Sequence, residues 1–71
     1  MAKTINASMA GTIFKIEVKV GDRFDFGDTV AILESMKMEI AMEAEDVGVV
    51  KSILLQEGDA VDAGTPILSY E

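Results

Sequence analysis

Apolar and polar residues alternate along much of the chain, with the period of a half-buried β-strand rather than that of a helix. KIEVKV, at residues 15–20, alternates without a break. In residues 38–45 the bulky apolar Met38, Ile40 and Met42 occupy every second position, and three of the residues between and after them are glutamates. These patterns predict strands at 15–20 and 38–44.

Residues 30–44, VAILESMKMEIAMEA, are ambiguous because Ala, Leu, Glu, Met and Lys are strong helix formers. A helix over this range would be apolar on nearly all sides, without the stripe that a surface helix presents to a core. We instead predict two strands, 29–35 and 38–44, joined by a two-residue turn at Met36-Lys37.

That turn has unusual residues for its type. Two-residue hairpin turns favour Asn and Gly, which adopt positive φ readily, whereas Met36 and Lys37 do not. Departures from local rules tend to mark functional sites. The turn therefore indicates that a lysine is needed at the tip of this hairpin.

A repeat of 37 residues supports the β interpretation. Residues 11–34 align with residues 48–71, with identical residues at seven of 24 positions and all three glycines of each copy in register. The second copy has no room for a helix after its last strand, so the first copy needs none either. The identical pairs are Gly11/Gly48, Ile16/Ile53, Gly21/Gly58, Asp22/Asp59, Asp25/Asp62, Gly27/Gly64 and Glu34/Glu71.

Each copy contains the pattern GDxxDxG, which is typical of turns, since glycine allows positive φ and aspartate caps nearby backbone N–H groups. The aspartates could instead suggest calcium, but no twelve-residue ligand loop is present. We predict that they cap turns. Phe24 aligns with Val61 and is expected in the core, whereas Phe26 aligns with Ala63 and is expected to be exposed.

Composition narrows the function. With 71 residues the chain makes one small domain, and its lack of cysteine and histidine argues against a self-contained hydrolase or metalloenzyme. Its net charge of −7 and lack of a basic patch argue against nucleic acid and anionic membranes as partners. No apolar run approaches the length of a membrane span. These features suit a cytoplasmic protein.

The segment ESMKMEI, at 34–40, resembles the attachment motif of biotinyl domains, whose usual form is Glu-Ala-Met-Lys-Met. The resemblance extends over nearly the whole chain, through SMAGTI near the start and the two GD turns. It implies that residues 1–71 form one biotinyl domain. The implied fold is all-β, a flattened sandwich of two four-stranded antiparallel sheets with pseudo-two-fold symmetry, without the protruding thumb of many bacterial carrier subunits.

The resemblance also implies a non-catalytic biotin carboxyl carrier of a biotin-dependent carboxylase or decarboxylase. Lys37 would be the residue that biotin protein ligase joins to biotin, and Glu34, Ser35, Met36 and Met38 would complete the motif. The tethered biotin would take carboxyl from a biotin carboxylase to a carboxyltransferase. A monomer is expected in isolation, most similar to small free-standing biotin/lipoyl attachment proteins, although an excised domain of a larger carboxylase is the alternative.

Three interpretations stay open at this point. Lipoyl domains of the same fold usually present Asp-Lys-Ala, so the two methionines favour biotin, with lipoate or dual attachment as the alternative. An unmodified lipoyl-like module for protein contacts is a third function. Met38 has either a packing or a recognition role, Met36 is expected to serve recognition, and Glu34 is expected to be structural because Glu71 repeats it without a lysine.

Overall fold

The computed structural model describes residues 3–71, so the first two residues of the predicted domain lie outside it. The described chain folds into eight strands and contains no helix that could cross a membrane. The strands are β1 (Lys3–Asn6), β2 (Gly11–Ile16), β3 (Arg23–Phe24), β4 (Thr29–Ser35), β5 (Met38–Glu43), β6 (Gly48–Ile53), β7 (Ala60–Val61) and β8 (Pro66–Tyr70).

The strands form two four-stranded sheets, and every pairing is antiparallel. One sheet has the order β1-β8-β6-β3 and the other the order β5-β4-β2-β7. Apolar side chains from both sheets form one buried cluster, so the all-β sandwich expected from the sequence is confirmed. The helix that local propensity favours over 30–44 does not form, because β4 and β5 pair with each other across that range.

The two sheets repeat each other residue by residue, which confirms the pseudo-two-fold symmetry. Adding 37 to the residues of β2 gives β6, and adding 37 to residues 29–33 of β4 gives β8. The pairing register is kept: Ile13 lies opposite Leu33 as Val50 lies opposite Tyr70. The same shift relates the β4–β5 pair to the β8–β1 pair, in which Leu33↔Ile40 corresponds to Tyr70↔Lys3. The first and last described strands thus take the place that the hairpin holds in the other sheet.

The predicted strand at 15–20 is wrong for most of its length. β2 ends at Ile16, and a bulge between Ile13 and Lys15 shifts its register against β4. After Ile16 only the N–H of Glu17 continues the pairing, with the carbonyl of Val30 at 2.9 Å. The alternation over 15–20 therefore reflects a segment that keeps one side half-buried but is not paired with another strand after Glu17. β5 ends at Glu43, one residue earlier than expected.

The core is built from equivalent positions of the two copies. Ile13 and Val50 are 1% exposed, and Phe24 is also buried, as its alignment with Val61 predicted. Phe26 is exposed, as expected. Ile16 and Ile53 are only half-buried at the edge of the core. The bulge in each strand places them on the same face as Ile13 and Val50, but each is the last residue of its strand.

The first aspartate of each GDxxDxG motif caps its turn as predicted, whereas within residues 3–71 the second, Asp25 or Asp62, caps no backbone N–H. The carboxylate of Asp22 accepts a hydrogen bond from the N–H of Lys19 at 2.9 Å, and that of Asp59 accepts one from Gln56 at 2.8 Å. Asp28 caps the N–H of Asp25 in the same way. Local turn geometry therefore accounts for the carboxylates of Asp22, Asp28 and Asp59, while the hydroxyl of Thr65 caps the N–H of Asp62 at 3.0 Å.

Candidate functional site

The β4–β5 hairpin determines where Lys37 lies. Its ladder runs without a break from Ala31 to the last pair, Ser35↔Met38, and only Met36 and Lys37 are left to make the turn. Both have positive φ, 51° for Met36 and 67° for Lys37. Left-handed backbone at both central positions is what a type I′ hairpin turn requires. The two-residue turn that the sequence predicted is therefore confirmed.

This turn differs from the others in the kind of residue that adopts positive φ. The other four positive-φ residues of the described chain are glycines, at positions 21, 27, 58 and 64. A left-handed conformation costs a residue with a Cβ atom roughly 1–2 kcal/mol, and glycine avoids that cost. Among residues 3–71, side chains therefore adopt this conformation only at the hairpin tip.

Exposure rises steadily along β5 towards the tip. Met42 is 6% exposed, Ile40 is half-buried, Met38 is 64% exposed and Met36 is 92% exposed. Met38 does alternate along β5 with Ile40 and Met42, as its spacing in the sequence suggested, but the core ends before Met38. Its exposure favours recognition over packing, and the exposure of Met36 agrees with the recognition role expected for it.

Glu34 and Ser35 form the base of the tip. The side chain of Glu34 is exposed and lies directly opposite Glu39, and like charges in such a pair are unfavourable. Glu71, its equivalent, forms an ion pair with Lys51 at 2.9 Å, but within residues 3–71 Glu34 has no such pair. Glu34 and Glu71 therefore occupy equivalent backbone positions, but their side chains do not make equivalent contacts. Ser35 is half-buried.

A polar cluster that the sequence did not reveal lies where β1 meets β8. Asp46 accepts hydrogen bonds from the Tyr70 hydroxyl at 3.1 Å, from Lys3 Nζ at 3.3 Å and from the N–H of Val47 at 2.8 Å. These donors, the Val47 N–H first, hold the pKa of Asp46 below its usual value. Burial, and then the bond to Asp46, raise the pKa of Tyr70. No sequence signal was available, because 24 and 43 residues separate Asp46 from its side-chain partners.

Comparison with known proteins gives a consistent result. The family model described as "Biotin-requiring enzyme" matches residues 3–69. The biotin/lipoyl attachment protein of Bacillus subtilis (strain 168) is 48% identical over 65 residues, which cover 92% of this chain and 89% of that protein. The crystal structure of Kluyveromyces lactis urea carboxylase is 34% identical with a TM-score of 0.90, and the match covers 100% of this chain but 6% of that one.

The chain therefore belongs to the biotin/lipoyl attachment family, and the resemblance seen in its motif is confirmed. It spans most of the small attachment protein. It spans about a twentieth of the large carboxylases, including a putative urea carboxylase of Emericella nidulans that is 43% identical over 67 residues and matched over 5% of its length.

Proposed function

We propose that this chain is a biotin carboxyl carrier and that Lys37 is the residue to which biotin is joined. The observation that carries the proposal is the position of Lys37 at the apex of an exposed, left-handed turn between two methionines. The family membership supports biotin as the cofactor. Relatives that are 40% and 36% identical are biotin carboxyl carrier proteins of acetyl-CoA carboxylase, from Pyropia yezoensis and Haemophilus influenzae.

The lysine serves as an acyl acceptor. A biotin protein ligase supplies biotin with its carboxyl group activated as an adenylate. The unprotonated Nζ of Lys37 attacks that carbonyl, the acyl–phosphate bond breaks, and an amide forms with release of AMP and one proton from the amine. An apex position lets the amine reach into the active site of the ligase without unfolding the hairpin. Met36 and Met38 flank the amine on the surface that the ligase would contact, and flexible thioether side chains suit a surface used by several partners.

The carrier contributes tethering and no catalysis of its own. Biotin on Lys37 takes up carboxyl at a biotin carboxylase and delivers it at a carboxyltransferase. A tether keeps the reactive group at high effective concentration near both sites in turn. The folded domain acts as a monomer in the cytoplasm, where ligase and carboxylase meet it.

The test is covalent labelling with a substitution that preserves the charge. Purified chain is incubated with a bacterial biotin protein ligase, biotin and ATP, and the intact mass is measured. We expect one biotinyl group on the wild-type chain and none on Lys37→Arg, because the guanidinium stays protonated and is not an acyl acceptor. Arg at the exposed tip leaves the fold intact, which circular dichroism checks. Label on the Arg variant would move the site to Lys3, Lys15, Lys19 or Lys51.

Lipoate is the second candidate cargo, because the attachment protein from Bacillus subtilis is named for both groups. The same hairpin would present Lys37 to a lipoate ligase. Parallel incubation with lipoate and its ligase distinguishes the cargoes by mass. Biotinyl addition alone supports the biotin carrier, and addition of either group supports dual attachment.

A further inference from the structure

Gly11 begins β2 beside the base of the hairpin, and its conformation does not explain why it is a glycine. Its φ is not positive, nor is that of its equivalent Gly48, in contrast to the four turn glycines. A residue with a side chain would find the backbone conformation at both positions acceptable. The reason for glycine must therefore be the space around it.

That space is filled by the end of β4. A Cβ atom on Gly11 would lie 2.7 Å from the carbonyl oxygen of Glu34 and 3.4 Å from Cβ of Ser35. Directly opposed residues of antiparallel strands normally keep their Cβ atoms about 4.5–5.5 Å apart. The nearest atom belongs to the backbone, so it has no rotamer with which to move away. Any side chain at position 11 must therefore force the backbones of β2 and β4 apart at Glu34 and Ser35.

The second copy contains the same close contact without the hairpin. A Cβ atom on Gly48 would lie 2.8 Å from the carbonyl oxygen of Glu71, which is the equivalent of Glu34. It would also lie 2.7 Å from Cδ2 of Tyr70. β4 continues directly into the turn that carries Lys37, whereas β8 is followed by no turn back to β1. The two glycines thus make equivalent contacts with different consequences.

We propose that Gly11 is a positioning residue for the attachment site. By lacking a Cβ atom it lets β2 set the backbone of Glu34 and Ser35, and hence the direction in which Lys37 leaves the apex. One residue separates Ser35 from Lys37, and Met36 and Lys37 already have an unfavourable backbone conformation. A displacement at Ser35 is therefore passed to the turn rather than absorbed by it. This inference rests on the proposed function of Lys37.

The experiment compares Gly11→Ala with Gly48→Ala as substrates of the biotin protein ligase. Both variants introduce the same methyl group into equivalent contacts, so both should lower the melting temperature. For Gly11→Ala we expect kcat of biotinylation to fall on the order of 10- to 100-fold, because small misplacements of a reacting group have effects of that size. For Gly48→Ala we expect kcat to stay within about twofold of wild type.

The split between KM and kcat separates positioning from simple loss of stability. Partial unfolding lowers the concentration of competent substrate and raises the apparent KM, while kcat at saturation is unchanged. Misplacement of Lys37 in a folded domain lowers kcat instead. Equal kcat values for the two glycine variants, or an effect of Gly11→Ala on KM alone, would overturn the proposal.

A second variant keeps the test decisive if Gly11→Ala does not fold. Ser35→Val enlarges the side chain on the other side of the same contact, and a β-branched residue suits a strand. It should lower kcat in the same way, and an unchanged kcat would then contradict the proposal. A wild-type chain without any label would refute the function proposed for Lys37 instead. That outcome is visible before any variant is made.

Discussion

The β4–β5 pair and its counterpart β8–β1 have the same register but are held together in different ways. A covalent turn of two residues joins β4 to β5. No turn joins β8 to β1, and Asp46 connects them there through hydrogen bonds from Lys3 and Tyr70. The corresponding positions in the hairpin half are apolar: Ile40 replaces Lys3, Leu33 replaces Tyr70 and Met9 replaces Asp46.

This difference shows how one scaffold supports two roles. Because the turn joins β4 to β5 covalently, no polar side-chain contacts are needed to hold the ends of these two strands together. The side chains at the tip of the hairpin can therefore be exposed to a partner. Where the chain is not continuous, polar contacts around a buried tyrosine hold the strands together. On the proposed function, the attachment site lies in one half of a symmetric molecule, and the Asp46 contacts of the other half serve stability. Substitutions in equivalent positions can test that division.

The largest expected effect tests the symmetry itself. Ile16→Ala and Ile53→Ala remove equivalent half-buried side chains, and each should cost about 1–2.5 kcal/mol of unfolding free energy, roughly half the value for a fully buried isoleucine. Urea denaturation of both variants measures this. If one variant loses more than twice as much unfolding free energy as the other, the two halves are not energetically equivalent.

Tyr70→Phe tests the polar contacts at the β8–β1 pair. It removes the hydroxyl bonded to Asp46 but keeps the ring that packs edge-on against Phe24, 5.1 Å between centroids. We expect a loss of about 0.5–1.5 kcal/mol, the usual net value of a hydrogen bond. The labelling rate of Lys37 should be unchanged. A slower rate would mean that the two ends of the molecule are coupled.

The same variant has a predicted pH dependence. The pKa of Asp46 is lower in the folded chain than its ordinary value of 3.8, so its stabilisation is present above pH 3.8 and is lost as pH falls through the folded pKa. The pKa of Tyr70 is raised above 10.0, so its stabilisation is present below pH 10.0 and is lost as pH rises through the folded value. The stability gap between wild type and Tyr70→Phe should therefore narrow at both extremes. A constant gap would argue against this contact.

The smallest effect concerns the left-handed turn. Asn adopts positive φ more readily than Met, so Met36→Asn should stabilise the domain by about 0.5–1 kcal/mol. Gly27→Ala, at one of the glycine turns, should destabilise it by a comparable amount for the opposite reason. Thermal unfolding should show a higher melting temperature for Met36→Asn and a lower one for Gly27→Ala than for the wild type. A destabilised Met36→Asn would mean that Met36 contributes packing that its exposure does not reveal.

Sequence reasoning succeeded where the repeat supplied a second copy for comparison. The hairpin at Met36-Lys37, the burial of Phe24 and the caps at Asp22 and Asp59 all followed from aligning the copies or from turn chemistry. The strand at 15–20 was wrong because alternation shows only which face is half-buried, whereas a strand also needs a partner, and after Ile16 only the N–H of Glu17 continues the pairing. The bulge in each copy leaves no trace in the periodicity, although it brings Ile16 and Ile53 onto the core face of their strands.

Contacts between distant segments could not be predicted in the same way. The repeat identified Gly11 and Gly48 as equivalent, but only the structure shows that a Cβ atom there would meet a backbone oxygen. The Asp46 cluster breaks the symmetry, so alignment of the copies gave no hint of it. Both features depend on which backbones approach one another, and that is fixed by the completed fold.

The central claim is that the rigid hairpin, and not the lysine alone, defines the attachment site. Exchanging Met36 and Lys37, to give ESKMMEI, tests it most directly because composition, charge and the exposed turn are preserved. The initial rate of biotinylation by the ligase is measured on the exchanged and the wild-type chain, with circular dichroism to verify the fold. Side chains at adjacent turn positions leave the apex in different directions, so we predict a folded chain that is labelled very slowly. Labelling of the exchanged chain at the wild-type rate would contradict the claim, since the ligase would then be reading a lysine in a short flexible sequence.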